Sequence, residues 1–320
     1  MPDQKWKLGL ALGSGAARGL AHVGILKVLE EAGVRIDFIA GTSIGAFIGA
    51  LYAAGMPVRE MEKVLCELDW RSLPRMLGLV LPKTGLIDGK KVATFMAELL
   101  PVRTFEELHI PLAMTTTDLD SGEALVIRKG SLLPGLQAAT AFPGIFPPVL
   151  FGERYLVDGG LCNPVPADVA YQMGADKVIG VCSIPKIPRL PGETFLPPRG
   201  TGRRKKKWRL GFFSAESIEK LIHDIWYFNH EENSPPEENT PTGNLERKPP
   251  GIFQVCSRSV AIMENQINAM RLERDAIDLL IRPEFKGISM LDFHRAAEAI
   301  KAGETAARAQ WERIRELAGR

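Results

Sequence analysis

Along the first sixty residues, apolar runs alternate with glycine-rich breaks, and the period of the pattern changes from strand to helix twice. Trp6-Lys7-Leu8-Gly9-Leu10-Ala11-Leu12 reads as a buried first strand that runs into Gly13-Ser14-Gly15-Ala16-Ala17-Arg18-Gly19. Leu20, Val23, Leu26, Lys27 and Glu30 then fall at helical spacing, with Gly33 as the stop. A second apolar run, Ile36-Asp37-Phe38-Ile39-Ala40, meets Gly41-Thr42-Ser43-Ile44-Gly45 and opens onto a helix that starts at Ala46 and ends at Ala54. The order is strand, glycine loop, helix, strand, glycine turn, helix. A right-handed crossover makes the two strands parallel and brings both glycine segments to the carboxyl edge of one sheet, where open α/β sheets place their sites.

Further on, the pattern predicts a helix over 57–67, irregular chain over 73–89 and a helix over 90–100. Leu77-Gly78-Leu79-Val80-Leu81 with Leu86-Ile87 is either an apolar flap or a buried connector. A strand pair over 110–118 and 123–128 turns at Asp120-Ser121-Gly122. The small residues after Leu136 lead into Phe142-Pro143-Gly144-Ile145-Phe146-Pro147-Pro148, as in a helix stopped abruptly under an apolar wall. Arg154-Tyr155-Leu156-Val157-Asp158-Gly159-Gly160-Leu161 is a strand ending in an acid and two glycines, and Val178-Ile179-Gly180-Val181-Cys182 is a further strand. A long helix over 252–272 carries Val255, Val260, Ile262, Met263, Ile267 and Met270, a strand follows over 276–281, and Asp292 caps a last helix over 293–317.

Composition narrows the class. The chain has 320 residues, 45% of them hydrophobic and 24% charged, enough for a sizeable core. A net charge of +2 gives no ground for nucleic acid as a main partner. Cys66, Cys162, Cys182 and Cys256 are far apart with no C-x-x-C spacing, so neither a zinc site nor a disulfide framework is expected, and a cytoplasmic setting fits. The run before Lys7 has no signal-peptide core, and no stretch is apolar for long enough to span a bilayer.

Candidate chemistry sits in the glycine segments. Gly41 and Gly45 are read as letting the backbone turn sharply, leaving the Ser43 hydroxyl at the tip of the turn with a helix N-terminus behind it. The first loop fails the dinucleotide fingerprint after Gly13 and Gly15 and lacks the Lys-Ser/Thr pair of a P-loop. It fits an oxyanion hole instead, with backbone N–H groups of Ser14, Gly15 and Ala16 aimed at one acceptor oxygen. Arg18 either ties the loop to backbone carbonyls, the favoured reading, or adds positive potential. His22 points along a helix leading away from the loop, so local packing or capping is expected of it rather than a triad role. Asp-Gly-Gly is by itself an ordinary tight turn. None of His22, His109, His223, His230 and His294 has a setting comparable to Asp158, so a Ser43–Asp158 dyad fits better than a Ser-His-Asp triad. An aspartate is a weak base at neutral pH unless burial raises its pKa, and Asp158 is expected to be shielded beside Ser43.

Taken together, Gly13-Ser14-Gly15-Ala16-Ala17-Arg18-Gly19, Gly41-Thr42-Ser43-Ile44-Gly45 and Asp158-Gly159-Gly160 resemble, in order, the motifs of the patatin-like phospholipase family, particularly its compact bacterial members. Asp118-Leu119-Asp120-Ser121-Gly122 and the Phe142 to Pro148 run support the match, which spans about 8–184 and resumes at 257. The resemblance implies a three-layer α/β/α fold with a mostly parallel sheet, related to the α/β hydrolases. It also implies lipid acyl hydrolysis by a serine–aspartate dyad, with no cofactor or metal and a lipid ester as substrate. The alternative is a lipid-binding regulatory module without turnover. Ser14 and Ala16 stand where glycine-richer members carry glycine.

One α/β domain over 1–320 is expected, interrupted by a Pro-, Gly- and charge-rich insertion at about 185–250. Inside the insertion, Arg203-Arg204-Lys205-Lys206-Lys207-Trp208-Arg209 precedes an amphipathic stripe of Ile218, Leu221, Ile222, Ile225 and Trp226. It reads either as a surface helix docked on the core or as a peripheral anchor on anionic membrane; nucleic-acid binding is not expected of one short basic cluster, which makes no extended stripe. The polar face of the stripe carries Glu216, Glu219 and Asp224 against Lys220, so the basic run alone would supply the attraction.

Overall fold

A computed structural model of the protein describes residues 6–67, 89–184 and 252–319, all within one compact unit. The expected apolar flap and the whole 185–250 insertion, with its basic run and amphipathic stripe, lie outside the described residues.

The first half follows the expected order: β1 (Leu8–Leu12), α1 (Ala21–Glu31), β2 (Phe38–Thr42), α2 (Ile44–Ala53), α3 (Val58–Glu67) and α4 (Gly89–Leu99). It continues with β3 (Leu112–Asp118), β4 (Ala124–Ile127), α5 (Leu132–Ala139), β5 (Val149–Phe151), β6 (Arg154–Asp158), α6 (Ala167–Gln172) and β7 (Lys177–Val181). After the insertion come α7 (Ile252–Arg274), β8 (Leu279–Ile281), α8 (Ala296–Arg308) and α9 (Trp311–Leu317). The single last helix expected over 293–317 is instead a 3-10 turn and two helices, because Gln310, at φ −109 and ψ 17, leaves the helical region. Asp292 does take the N-cap position of the 3-10 turn, but its side chain makes no capping bond, and the carboxylate accepts instead from the N–H of Ser289 upstream, at 2.8 Å.

The eight strands form one sheet. Pairs β1–β2, β1–β7, β2–β3 and β7–β8 are parallel, and β3–β4, β3–β6 and β5–β6 are antiparallel. Side chains alternate across it with the period of two that strands impose. Leu8, Leu10, Leu12, Ile39, Leu112, Met114, Ile179 and Val181 face a core shared with α1, α2, α3, α5 and α8. The other face carries the small residues Ala11, Ala40 and Ala113 and packs on Val165, Ala167, Val169 and Ala170 at α6. Large side chains on one face and small ones on the other give a three-layer α/β/α sandwich in which α6 sits close to the sheet. Residues on both sides of the insertion complete the sheet, since β7 pairs with β8.

Candidate active site

The turn between β2 and α2 is a single residue, Ser43, held at φ 56 and ψ −125. Such backbone is costly for a residue with a Cβ, of order 1–3 kcal/mol, and persists only where the surroundings impose it. The glycines that the sequence reading credits with the sharp turn do something else, because neither Gly41 nor Gly45 has a positive φ. A Cβ on Gly41 would lie 2.5 Å from the Ala46 Cα, and one on Gly45 only 2.1 Å from the Leu12 carbonyl oxygen. Their role is close approach, which lets the end of β1 and the start of α2 close around Ser43 and leaves the strain in the serine itself. The Ser43 hydroxyl makes no capping bond to α2. It donates instead to Asp158 Oδ2 at 2.6 Å.

Sheet topology explains how residues 115 positions apart meet. Thr115 of β3 pairs with Thr42 of β2 and also with Val126 of β4, while Thr116 pairs with Asp158 of β6 and also with Leu125 of β4. With β4 on one edge, β2 and β6 share the other. They run in opposite directions, so their C-terminal ends meet at Thr115 and Thr116, and the residue after Thr42 faces Asp158. Thr117 Oγ1 donates to the Asp158 carbonyl at 3.0 Å and the Asp158 N–H donates to Ala141 at 3.0 Å, which fixes the strand end.

Asp158 combines both uses that the sequence leaves open to it. Oδ1 accepts from the N–H of Gly160 at 2.8 Å, as in an ordinary Asp-Gly-Gly turn, while Oδ2 takes the serine. Gly159 is pressed against the Thr115 carbonyl, which a Cβ would approach to 2.4 Å. The Asp158 side chain is buried, and desolvation pushes its pKa up to about 6 against the opposing pull of the Ser43 and Gly160 bonds.

The glycine loop differs from expectation in its donors. The N–H of Gly13 goes to the Val181 carbonyl at 3.0 Å and that of Ser14 to Pro164 at 2.8 Å, so the Ser14 amide is not free for an oxyanion. This happens because the loop first continues β1 alongside the end of β7. The N–H groups of Gly15 and Ala16 have no partner among the described residues, and both residues line a cleft with Ser43 and Asp158. Gly15 sits at φ 154 and Ala16 at φ 50. The N–H of Ile44, the first residue of α2, also has no partner among the described residues, which gives the helix N-terminus expected behind Ser43 a named donor. Arg18 does not line the cleft: Nε donates to the Ile288 carbonyl at 2.7 Å, tying the loop to the segment before α8.

His22 is fully buried, and its Nε2–H donates to the Gly13 carbonyl at 2.7 Å, so it braces the loop locally, as expected, and stands apart from the serine. Burial lowers its pKa to about 4, with the Gly13 bond pulling the other way. The folded protein therefore holds His22 neutral, whereas the unfolded chain takes up its proton below about 6.5. The stability this contributes, on the order of 3 kcal/mol, is complete above that pH and is lost as pH falls toward the folded value. In thermal melts, the difference in melting temperature between the parent and His22→Gln should change across the window from about 6.5 to about 4, with the parent losing more. Parallel pH dependences in the two proteins would contradict this.

A second buried acid was missed. Glu264, from the middle of α7, lines the same cleft and accepts a hydrogen bond from the Ser14 hydroxyl. Its one sequence signal is that Val260, Glu264 and Asn268 follow one another at helical spacing, a stripe whose polar members are the buried ones. Among the described residues no cluster of His, Cys, Asp or Glu could hold a metal ion, and no helix is long and apolar enough to cross a membrane.

The chain is 28% identical, over 94% of its length and 90% of the relative's, to an uncharacterized NTE family protein of Mycobacterium tuberculosis. It is 37% identical over 183 residues to human patatin-like phospholipase domain-containing protein 6, a match covering 54% of this chain and 13% of that one. Among solved structures, VipD from Legionella pneumophila superposes with a TM-score of 0.44 at 14% identity, covering 97% of this chain and 67% of that one. A sequence profile described as patatin-like phospholipase matches residues 10–171, a span holding the glycine loop, Ser43 and Asp158. The chain belongs to the patatin-like phospholipase family.

Proposed function

We propose that the protein is a serine hydrolase of lipid carboxylic esters, with Ser43 as nucleophile and Asp158 as its base. The observation that carries this reading is the 2.6 Å hydrogen bond from the Ser43 hydroxyl to a buried carboxylate, made in a cleft where two neighbouring N–H groups have no partner among the described residues. Ser43 Oγ attacks the ester carbonyl carbon while its proton passes to Asp158 Oδ2. The carbonyl oxygen becomes an oxyanion held by the N–H groups of Gly15 and Ala16, with that of Ile44 at the start of α2 as a third donor. Collapse of this intermediate breaks the bond to the leaving alcohol, which takes the proton from Asp158 and departs, leaving an acyl-serine. Water then attacks the acyl carbon and gives a proton to Asp158, which returns it to Ser43 as the fatty acid leaves.

A base with a pKa of about 6 suits this cycle at neutral pH, since it is ionised before attack and still accepts a proton in the transition state. Hydrolysis should rise as pH passes through about 6, because only ionised Asp158 can accept the serine proton. A fluorophosphonate probe followed by peptide mass spectrometry tests the reading: covalent phosphonylation is expected at Ser43 and absent in Asp158→Asn. A protein that binds lipid yet stays unlabelled would be a lipid-binding module instead.

A further inference from the structure

The cleft holds two carboxylates, and the proposed cycle uses only Asp158. Glu264 reaches the cleft from α7, which packs against the Gly159–Leu161 turn, and it is 7% exposed. Gly160 leaves it room, as a Cβ there would lie 2.6 Å from Glu264 Oε1. That same oxygen accepts from the Ser14 hydroxyl. Ser14 is thus tied twice, by its N–H to Pro164 and by its hydroxyl to Glu264, just before the two residues whose N–H groups have no partner among the described residues. Beyond them the loop is tied again, by the Ala17 N–H to Met290 at 3.0 Å and by Arg18 to Ile288 at 2.7 Å. Gly15 and Ala16, both at positive φ, are therefore a short span between two anchors, with the strain carried by Ala16, since glycine adopts such backbone freely.

We infer that Glu264 is a positioning residue of this site: through the Ser14 hydroxyl it holds the Gly15 and Ala16 N–H groups in place for the oxyanion. The inference rests on the reading of Ser43 as nucleophile. The groups facing Glu264 are Ser14 from the loop, Asp158 from the end of β6 and Arg18 from the 3-10 turn Ala16–Leu20 that follows the loop, with Asp292 beyond the arginine. Burial raises the Glu264 pKa to about 7; the Ser14 bond opposes this, the Asp158 charge adds to it, and Arg18 opposes it. Neutral Glu264 keeps an acceptor oxygen for Ser14 and puts no charge beside the oxyanion. Ionised Glu264 places a second negative charge in a cleft where one is already forming, and like charges at close range in a desolvated site repel strongly. Turnover should then fall as pH rises through about 7, giving a bell whose acid limb belongs to Asp158 and whose alkaline limb belongs to Glu264.

The test uses the full chain with a soluble short-chain aryl ester, measuring kcat and KM from about pH 5 to about pH 9. Glu264→Gln keeps an acceptor for Ser14 but cannot ionise, so its profile, scaled to its own maximum, should lose the alkaline limb and keep the acid one. Ser14→Ala removes the same hydrogen bond from the other side and should lower kcat roughly tenfold or more, with KM changing by less than about threefold, as expected when donors are misplaced rather than lost. The double variant should be no slower than Ser14→Ala. An unchanged alkaline limb in Glu264→Gln, or a parental kcat in Ser14→Ala, overturns the inference. Ser14→Ala decides the matter if Glu264→Gln does not fold. Fluorophosphonate labelling run alongside separates the two levels: no labelling of Ser43 in the parent strikes the hydrolase reading itself, whereas normal labelling with parental profiles in both variants strikes only Glu264.

Discussion

Ser43→Ala and Asp158→Asn are each expected to lower kcat for ester hydrolysis by roughly 10⁴-fold or more, and the double variant should be no worse than either. The non-additivity follows from the geometry. The two side chains form one hydrogen-bonded unit, so removing the nucleophile leaves the base nothing to activate, and removing the base leaves a hydroxyl whose proton has no acceptor. Asn at 158 can still accept at its amide oxygen, so the turn built on the Gly160 N–H can persist and the loss is chemical. Circular dichroism and melting temperature should stay near the parent while steady-state turnover collapses. Ser43→Ala also places alanine at φ 56, which strains the turn no more than serine does. Residual turnover within about tenfold of the parent in Ser43→Ala would show that hydrolysis does not pass through this serine. His22→Gln, by contrast, should retain the Asp158-dependent acid limb, because His22 braces Gly13 and does not touch Ser43.

Gly15→Val should lower turnover by roughly a hundredfold or more, the scale of losing one oxyanion donor. Gly15 is at φ 154, and a Cβ there would come within 2.8 Å of the Ser183 Cβ and 3.2 Å of its carbonyl oxygen. A β-branched side chain can meet neither demand, so the peptide must rotate or the loop must move off the end of β7, and either swings the free N–H groups of Gly15 and Ala16 out of place. The Ser43–Asp158 bond comes from other strands and should survive. Phosphonylation of Ser43 should therefore slow while the binding of a non-hydrolysable substrate analogue changes less, and kcat should fall much further than KM rises. Equal losses in both would indicate that the loop has collapsed into the cleft.

Much of the architecture was legible because it is written locally. The runs at β1 and β2, the helical spacing from Leu20 to Glu30 and the stop at Gly33 each follow from the period of apolar positions and from turn chemistry. Ser43 and Asp158 stood out for the same reason, since each lies in a short motif at the end of a strand-like run. Their meeting was not written locally. It depends on β2 and β6 sharing one edge of β3 from opposite directions, a pairing between segments more than a hundred residues apart. The loop donors illustrate the same limit: small residues marked the loop as open, but only the positions of Val181 and Pro164 determine that Gly13 and Ser14 are already bonded.

The long helix α7 marks the boundary most clearly. Its length was readable, and so were its apolar residues, yet Val255, Ile262, Met263 and Met270 are exposed while Glu264 and Asn268 are buried. Periodicity says which residues share a face of a helix, but not which face another part of the chain will cover. Here the covered face meets the turn after Asp158 and the glycine loop, where a carboxylate finds the Ser14 hydroxyl and a nearby arginine, so a polar residue can be buried with partners. Local periodicity and turn chemistry in the sequence determined most of the strands and helices and the two motif residues, because each depends on neighbours a few positions away, whereas the short strand β5 and the short helix α6 carry no such local pattern. Tertiary structure alone decided that Ser43 faces Asp158, that the Gly13 and Ser14 amides are bonded to Val181 and Pro164, and that Glu264 enters the cleft, because each of these is a contact between segments that only the assembled sheet brings together.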